Sequence, residues 1–348
     1  KENEPWTPPA EDFYMTDAFT DYAIERLDEH KANYNDEPFF LNLCYTAPHW
    51  PLHAPAEDIA KYAGRYQQGW DATRQQRYQR QQQLGIIDTS YQLPPRPVSV
   101  EAWAIVKDKA TWQRRMEVYA AMIDRMDQNI GKVLAKLEAN GQLENTLILF
   151  MSDNGASDEN VTGRNLNNPD AAIGAKGSYV AYREPWAMVS NTPFRRYKGR
   201  EFMGGIASPL IAHWPAGIAA RGDITQQQAH VIDVMPTFLA LAGAEYPTNY
   251  GGQKIKSMHG RSLVSHFKQQ APTEERTLYF EFKGSKAVIK GDWKLVNNRE
   301  TKQWELYNLQ SDPTEMNNLF DKHPDKFLEL RTMHGQWERG VGVFDIEY

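Results

Sequence analysis

The sequence predicts an α/β protein: a mostly parallel sheet flanked by helices, then a small C-terminal antiparallel sheet closed by one helix. Three observations carry this expectation. A helical pattern runs twice into a short apolar segment, first ahead of Phe39-Phe40-Leu41-Asn42-Leu43 and again ahead of Leu147-Ile148-Leu149-Phe150-Met151. Helix followed by buried-type strand is the pattern of parallel sheets covered by helices. From about Glu275 the pattern changes to short alternating runs joined by tight turns such as Lys290-Gly291-Asp292, as in an antiparallel meander. The third observation is length, because 348 residues suit one large domain with an appendage. The division is placed at 1–274 and 275–348.

Each element has its own warrant. Residues 14–33 read as an amphipathic helix, with Thr16 or Asp17 as cap and Phe19, Tyr22, Ala23 and Leu27 on one face. The Phe39 strand follows. A polar stretch from about Lys61 to Trp112, heavy in Gln and Arg, holds a helix near 71–84 and reads as a solvated surface insertion. Residues 114–139 form the clearest helix, with Met116, Tyr119, Ala120, Ile123, Met126, Ile130, Val133, Leu134 and Leu137 on one stripe and Gly141 as terminator. The strand 147–151 comes next, and a third strand over 209–212 and a helix over 231–242 extend the series. Between Asn154 and Lys198 lie more than forty residues rich in Gly, Asn, Ser and aromatics, well beyond the roughly 12 to 15 at which structureless loops become uncommon. Tyr179, Tyr182, Trp186 and Phe194 favour an ordered, substrate-facing wall, the alternative being disorder of its Asn-rich front. The C-terminal strands are expected at 277–282, 287–290, 293–296 and 303–307, and the closing helix at 324–337.

Composition removes several classes. A net charge of -6 leaves no electrostatic footprint for nucleic acid. No apolar run approaches the roughly 18 residues of a membrane helix. Cys44 is the single cysteine, which excludes an intrachain disulfide framework and any multi-cysteine metal site. At the end of a buried-type strand, Cys44 reads as a packed, inert thiol. The chain starts at Lys1 with no charged-then-apolar leader, so its start reads as cut. Asn160-Val161-Thr162 fits a glycosylation acceptor, although such triplets are frequent by chance.

Chemistry concentrates at two strand ends. Ligands collect beyond the carboxyl ends of strands in open α/β sheets, and Asp153 and Asn154 sit there as hard oxygen ligands for a divalent cation. The far end of the Phe39 run opens into Tyr45-Thr46-Ala47-Pro48-His49-Trp50-Pro51-Leu52, which delivers a histidine. Both features have plainer readings. Asp-Asn-Gly is a strong hairpin-turn signal, and His49 between prolines also suits a rigid turn with a packed imidazole.

With these elements in place the chain resembles the sulfatase family, particularly its bacterial arylsulfatase branch within the alkaline-phosphatase-like superfamily. The motifs are Pro38-Phe39-Phe40-Leu41 leading to Ala47-Pro48-His49-Trp50-Pro51-Leu52, then Ser152-Asp153-Asn154-Gly155. Asn191-Thr192-Pro193-Phe194, Lys198-Gly199, Gly204-Gly205-Ile206, Asp233-Val234-Met235-Pro236-Thr237 and Gly291-Asp292-Trp293-Lys294-Leu295 follow in order. The resemblance implies an alkaline-phosphatase-like fold and hydrolysis of a sulfate ester, a small molecule or a sulfated glycan, at a site containing a calcium ion. It implies that Asp153 and Asn154 are metal ligands, that His49 contacts sulfate and protonates the leaving oxygen, and that Lys198 binds sulfate. The last role competes with plain solvated surface, since Arg195, Arg196 and Arg200 flank Lys198 in a basic run.

The chain departs from the family pattern in three respects. Met203 stands where members usually carry Glu before the Gly-Gly pair, and Phe282 where the related branch often has His. Members also begin with an apolar strand ending in paired aspartates, a C/S-x-P-x-R motif converted to the formylglycine nucleophile, and a G-K-W-H-like motif. None of these occurs here, and Cys44, followed by Tyr45 and Thr46, does not fit the nucleophile motif. The chain is therefore expected to be the C-terminal portion of a sulfatase, inactive alone, with formylglycine in an N-terminal portion upstream or on another chain. Members are often exported, so a periplasmic or secreted location is implied. Two other readings stay open: a phosphodiesterase or phosphonate monoester hydrolase of the same superfamily, and a non-catalytic sulfatase-like binding protein.

Overall fold

The computed structural model describes residues 3–219, 222–269 and 275–343. Helix α1 (Met15–Asn33) packs along the long helix α4 (Lys109–Ala139), and the short α2 (Ala56–Ala60) and α3 (Gly69–Gln83) lie between them in sequence. The α4 helix starts earlier than its apolar stripe because Asp108 caps it, its carboxylate accepting from Thr111 N at 3.3 Å. A bidentate pair fixes α1 on α4: Arg125 donates to both oxygens of Asp17, at 2.8 and 2.6 Å, and Asn129 adds a third bond at 2.6 Å.

The main core forms where α4 meets α5 (Arg183–Ser190) and the segment after α2, and it includes Val118, Ala121, Trp186 and Ala187. Trp70 and Trp103 also belong to it, their rings edge-on at 4.7 Å. The polar 61–112 stretch is thus more than a solvated insertion. Its few aromatics carry the core contact while most of its Gln and Arg side chains face water, Arg74 being buried with Nη1 donating to Pro94 O, and the indole N–H groups are satisfied, Trp70 donating to Glu101 O and Trp186 to Trp112 O.

The α/β unit carries a strand pair, β1 (Ile148–Met151) with β2 (Leu210–His213), and the two run antiparallel. The Phe39–Leu43 run is extended and alternates half-buried with exposed residues, yet it pairs with no strand among the described residues. Among the described residues the parallel neighbours expected from helix–strand order do not occur, and the parallel contact there is one isolated bridge, His53 with Gly174. Apolar alternation makes a segment extended, but a ladder also needs a neighbour about 4.8 Å away. The same alternation corrects the expectation for Cys44. It lies on the open face with Phe40 and is exposed rather than packed.

After β1 come α6 (Met203–Ile206), β2 and α7 (Val234–Ala242), which ends at Gly243 in the left-handed region. A two-residue hairpin, β3 (Asn249–Tyr250) with β4 (Gln253–Lys254), and α8 (Val264–Phe267) follow. The division expected at residue 275 adjoins residues 270–274, which lie outside the described residues, as does Lys1.

The C-terminal meander is a four-stranded antiparallel sheet in sequential order: β5 (Thr277–Phe282), β6 (Ser285–Lys290), β7 (Trp293–Asn298) and β8 (Gln303–Asn308). Both faces are covered. Ala287, Val296 and Tyr307 pack on Phe202, whereas Val288, Leu295 and Leu306 pack on Leu330 of α9 (Pro324–Val341). The sheet is therefore clamped between the closing helix and the segment that carries Lys198. No helix among the described residues is long and apolar enough to cross a membrane.

Candidate active site

Beyond β1 the chain turns through Ser152, Asp153, Asn154 and Gly155, and the residues after it do not return along the strand, whose partner is β2. Asp-Asn-Gly is not a hairpin turn here. Gly155 N instead donates to Gly205 O at 3.0 Å, and a Cβ on Gly155 would stand 1.8 Å from Gly204 O. Gly205 is equally confined, its hypothetical Cβ 1.9 Å from Arg200 O. Asn191 ties the unit together: its Oδ1 accepts from Ala156 N, while its Nδ2 donates to Arg196 O and Gly204 O. Lys198 N donates to Ala156 O at 3.0 Å, which brings the lysine alongside the Asp153-Asn154 turn.

His49 reaches the same place from the other strand end. Its Nδ1 lies 2.7 Å from Trp50 O, and since a carbonyl only accepts, Nδ1 carries a proton. Nε2 lies 3.2 Å from Lys198 Nζ, across 149 residues of sequence, so a neutral imidazole accepts there from the ammonium. If both groups are charged they repel, and an anion bound between them would relieve the repulsion.

The flanking arginines differ from Lys198. Arg195 pairs with Glu305 at 3.3 Å, Arg196 with Glu300 at 2.9 Å, and Arg200 with Asp158 and Glu300 at 3.1 and 3.3 Å. Lys198 has no carboxylate within ion-pair distance among the described residues. The basic run is therefore a set of structural pairs around one uncompensated ammonium.

Asp153 is exposed and has no hydrogen-bond or ion-pair partner among the described residues. Asn154 uses its Nδ2 on Gly155 O at 2.9 Å, leaving its amide oxygen free. A carboxylate and a free amide oxygen are hard donors that suit calcium, but calcium takes 6 to 8 oxygens. No group of three or more His, Cys, Asp or Glu able to hold a metal occurs among the described residues. The pair fits part of a coordination shell.

Two contributors escaped the sequence reading. Glu159 accepts from Trp50 Nε1 at 2.8 Å and from Ser157 Oγ at 3.1 Å. Burial alone would raise its pKa, but these bonds and the charges of Lys198 and His49 hold it below the usual carboxylate range. Glu159 thereby fixes Trp50, whose ring packs 4.5 Å from that of His49 and beneath Arg164 at 4.4 Å. No motif marks Glu159; the one signal was an acidic pair, Asp158-Glu159, just after the turn. Asn191 stood in a recognised motif, but its bridging role depends on contacts invisible in sequence. Of the two departures, Phe282 lies beside Lys198's neighbour, 3.5 Å from a hypothetical Cβ on Gly199, and Met203 N donates to Glu315 Oε2.

The chain matches known proteins over this whole constellation. The family described as Sulfatase matches residues 1–244, and N-sulphoglucosamine sulphohydrolase, C-terminal, matches residues 198–337. A Schizosaccharomyces pombe protein named as an uncharacterized sulfatase is 34% identical over 95% of this chain and 62% of its own length. An arylsulfatase of Klebsiella aerogenes is 34% identical over 79% of this chain and 60% of its own length. The chain thus spans about three fifths of these curated relatives. A solved structure described as a complex with its substrate D-glucosamine-2-N,6-O-disulfate superposes with a TM-score of 0.55 at 20% identity, over 95% of this chain and 71% of that one. The fold is the alkaline-phosphatase-like α/β fold, and the chain belongs to the sulfatase family.

Proposed function

We propose that this chain carries the sulfate-binding and leaving-group side of a sulfate-ester hydrolase. The observation behind the proposal is the approach of Lys198 Nζ to His49 Nε2 at 3.2 Å, with Lys198 free of any carboxylate among the described residues. A sulfate ester is anionic and gains negative charge on its bridging oxygen as the S–O bond breaks. Lys198 binds the non-bridging oxygens, and His49 in its imidazolium form, its Nδ1–H held by Trp50 O and its charge offset by the bound anion, donates the Nε2 proton to the departing oxygen. Glu159 holds Trp50 against the imidazole and so acts as a positioning residue.

Sulfatases generally use formylglycine and a divalent metal. Asp153 and Asn154 would supply two oxygens toward calcium, which when bound stabilises negative charge on the sulfate. The formylglycine nucleophile and the remaining ligands would come from an N-terminal portion outside this sequence. The substrate is then a sulfate ester borne by a small molecule or a glycan.

The test is a rate comparison in the complete protein between 4-nitrophenyl sulfate and bis(4-nitrophenyl) phosphate. Faster turnover of the sulfate is expected, and preference for the phosphodiester would move the protein to the phosphodiesterase reading. The 348-residue chain by itself should show no turnover.

A further inference from the structure

A cavity of ≈ 360 Å³ lies between α4 and the 162–180 loop, lined by Arg115, Asn167, Ile173 and Tyr179 among others. Arg115 is 9% exposed, and its one side-chain hydrogen bond among the described residues runs from Nη1 to Ala181 O at 2.6 Å. Its Nε is buried without a partner among the described residues. No carboxylate lies within ion-pair distance of it among the described residues, and the acid that most affects it, Asp108, is engaged as the cap of α4. A second guanidinium adds to the positive field: Arg115 and Arg183 both lie over Trp112, at 5.1 and 5.6 Å from its centroid. Burial first, and then the charge of Arg183, push the Arg115 guanidinium down to about 10. Buried charges are almost always paired, so this site is electrostatically matched to an anion.

Two neutral donors face the same space. Asn167 accepts from Tyr179 N through Oδ1 at 2.7 Å, which leaves its NH₂ available, and the Tyr179 hydroxyl has no partner among the described residues. The cavity also adjoins the candidate active site. Tyr179 meets Trp50 edge-on at 6.0 Å, and Trp50 lies 4.5 Å from His49. A ligand spanning both places would carry one sulfate at Lys198 and another anionic group in the cavity beyond Trp50 and Tyr179.

We propose that this cavity is a second anion subsite, which binds a further sulfate group of a saccharide whose scissile ester lies at His49 and Lys198. The inference rests on the sulfate-ester reading for the scissile site, and it narrows the substrate to multiply sulfated glycans. Arg115 supplies a guanidinium fork and Arg183 long-range attraction, while Asn167 and Tyr179 donate to the remaining oxygens.

The complete enzyme tests this by calorimetric titration with glucosamine 6-sulfate and glucosamine 2-N,6-O-disulfate, which differ by one sulfate. The unmodified enzyme should bind the disulfate at least about tenfold more tightly, the scale of one charged hydrogen bond. Arg115→Met should erase that difference while leaving monosulfate affinity and kcat/KM for 4-nitrophenyl sulfate within twofold. Arg183→Met should reduce the difference partially, and it keeps the test available if Arg115→Met fails to fold. Equal affinity of the unmodified enzyme for the two sugars, or an equal loss for both in the variants, overturns the subsite. Failure of the sulfate-ester reading would show separately, as no hydrolysis of 4-nitrophenyl sulfate by the unmodified enzyme.

Discussion

Lys198 differs from its neighbours in what it lacks. Arg195, Arg196 and Arg200 spend their charge on Glu305, Glu300 and Asp158, whereas Lys198 Nζ faces an imidazole. In sequence the four residues form one basic run, and nothing in their identities separates a ligand-binding cation from structural ones. Partner geometry separates them. The histidine beside it leads to the first prediction. A phenol leaves with a pKa of about 10 and needs little help, whereas an alkyl alcohol, close to water at about 16, needs its oxygen protonated. General acid catalysis contributes about 10²- to 10⁴-fold. In the complete enzyme His49→Ala should therefore slow alkyl sulfates far more than aryl sulfates, measured as kcat/KM along a graded series. A penalty independent of the leaving group would show that His49 does not donate the proton.

At the scale of elements, the entry into α7 illustrates how a carboxylate anchors a helix. Asp233 is fully buried, accepts from His230 N and Arg261 N, and pairs with both terminal nitrogens of Arg276 at 2.5 and 2.6 Å. Burial opposes its charge, but the Arg276 bonds and the two backbone donors outweigh it and hold its pKa below the usual carboxylate value. A depressed pKa in the folded state means that this stabilisation is present above the unfolded value, about 3.9, and is lost as pH falls through the folded value. Asp233→Asn should cost about 2 to 3 kcal/mol at pH 7, the scale of hydrogen bonds to charged groups. Below pH 4 the gap between variant and parent should shrink. Urea midpoints across pH 3 to 7 check this, and a gap that stays constant would mean that the carboxylate does not titrate with folding. The sequence marked Asp233-Val234-Met235-Pro236-Thr237 as a motif and a helix here, but Arg276 lies 43 residues on and nothing local linked the two.

At the scale of the molecule, the C-terminal sheet and the Lys198 segment are joined by a buried ion pair. Lys294 of β7 and Glu315 are both fully buried, 2.7 Å apart, and Glu315 also accepts from Met203 N and, through its carbonyl, from Arg195. Burial pushes the Lys294 ammonium down, while Glu315 favours its charge. Removing one partner leaves a buried charge uncompensated, so Lys294→Met should destabilise the protein by about 3 to 5 kcal/mol, and Lys294→Met with Glu315→Leu should recover part of that loss. Chemical denaturation of the complete protein decides this, since an additive double variant would leave the two residues uncoupled. The sequence by itself determined what local chemistry dictates. Helical periodicity placed α1, α4 and α9 within a few residues, alternation placed β5 to β8, and motif order singled out His49, Asp153, Asn154 and Lys198 as candidates, of which His49 and Lys198 meet at 3.2 Å. It also led to three expectations that local patterns could not support: a parallel partner for Phe39–Leu43, a packed Cys44 and a solvated 61–112 segment. Only the tertiary structure decided these, along with the contacts of Glu159, Asn191 and Arg115. The reason is physical: periodicity and turn chemistry act over a few residues, whereas strand pairing, burial of a lone aromatic and compensation of a charge depend on whichever distant segment is folded against them.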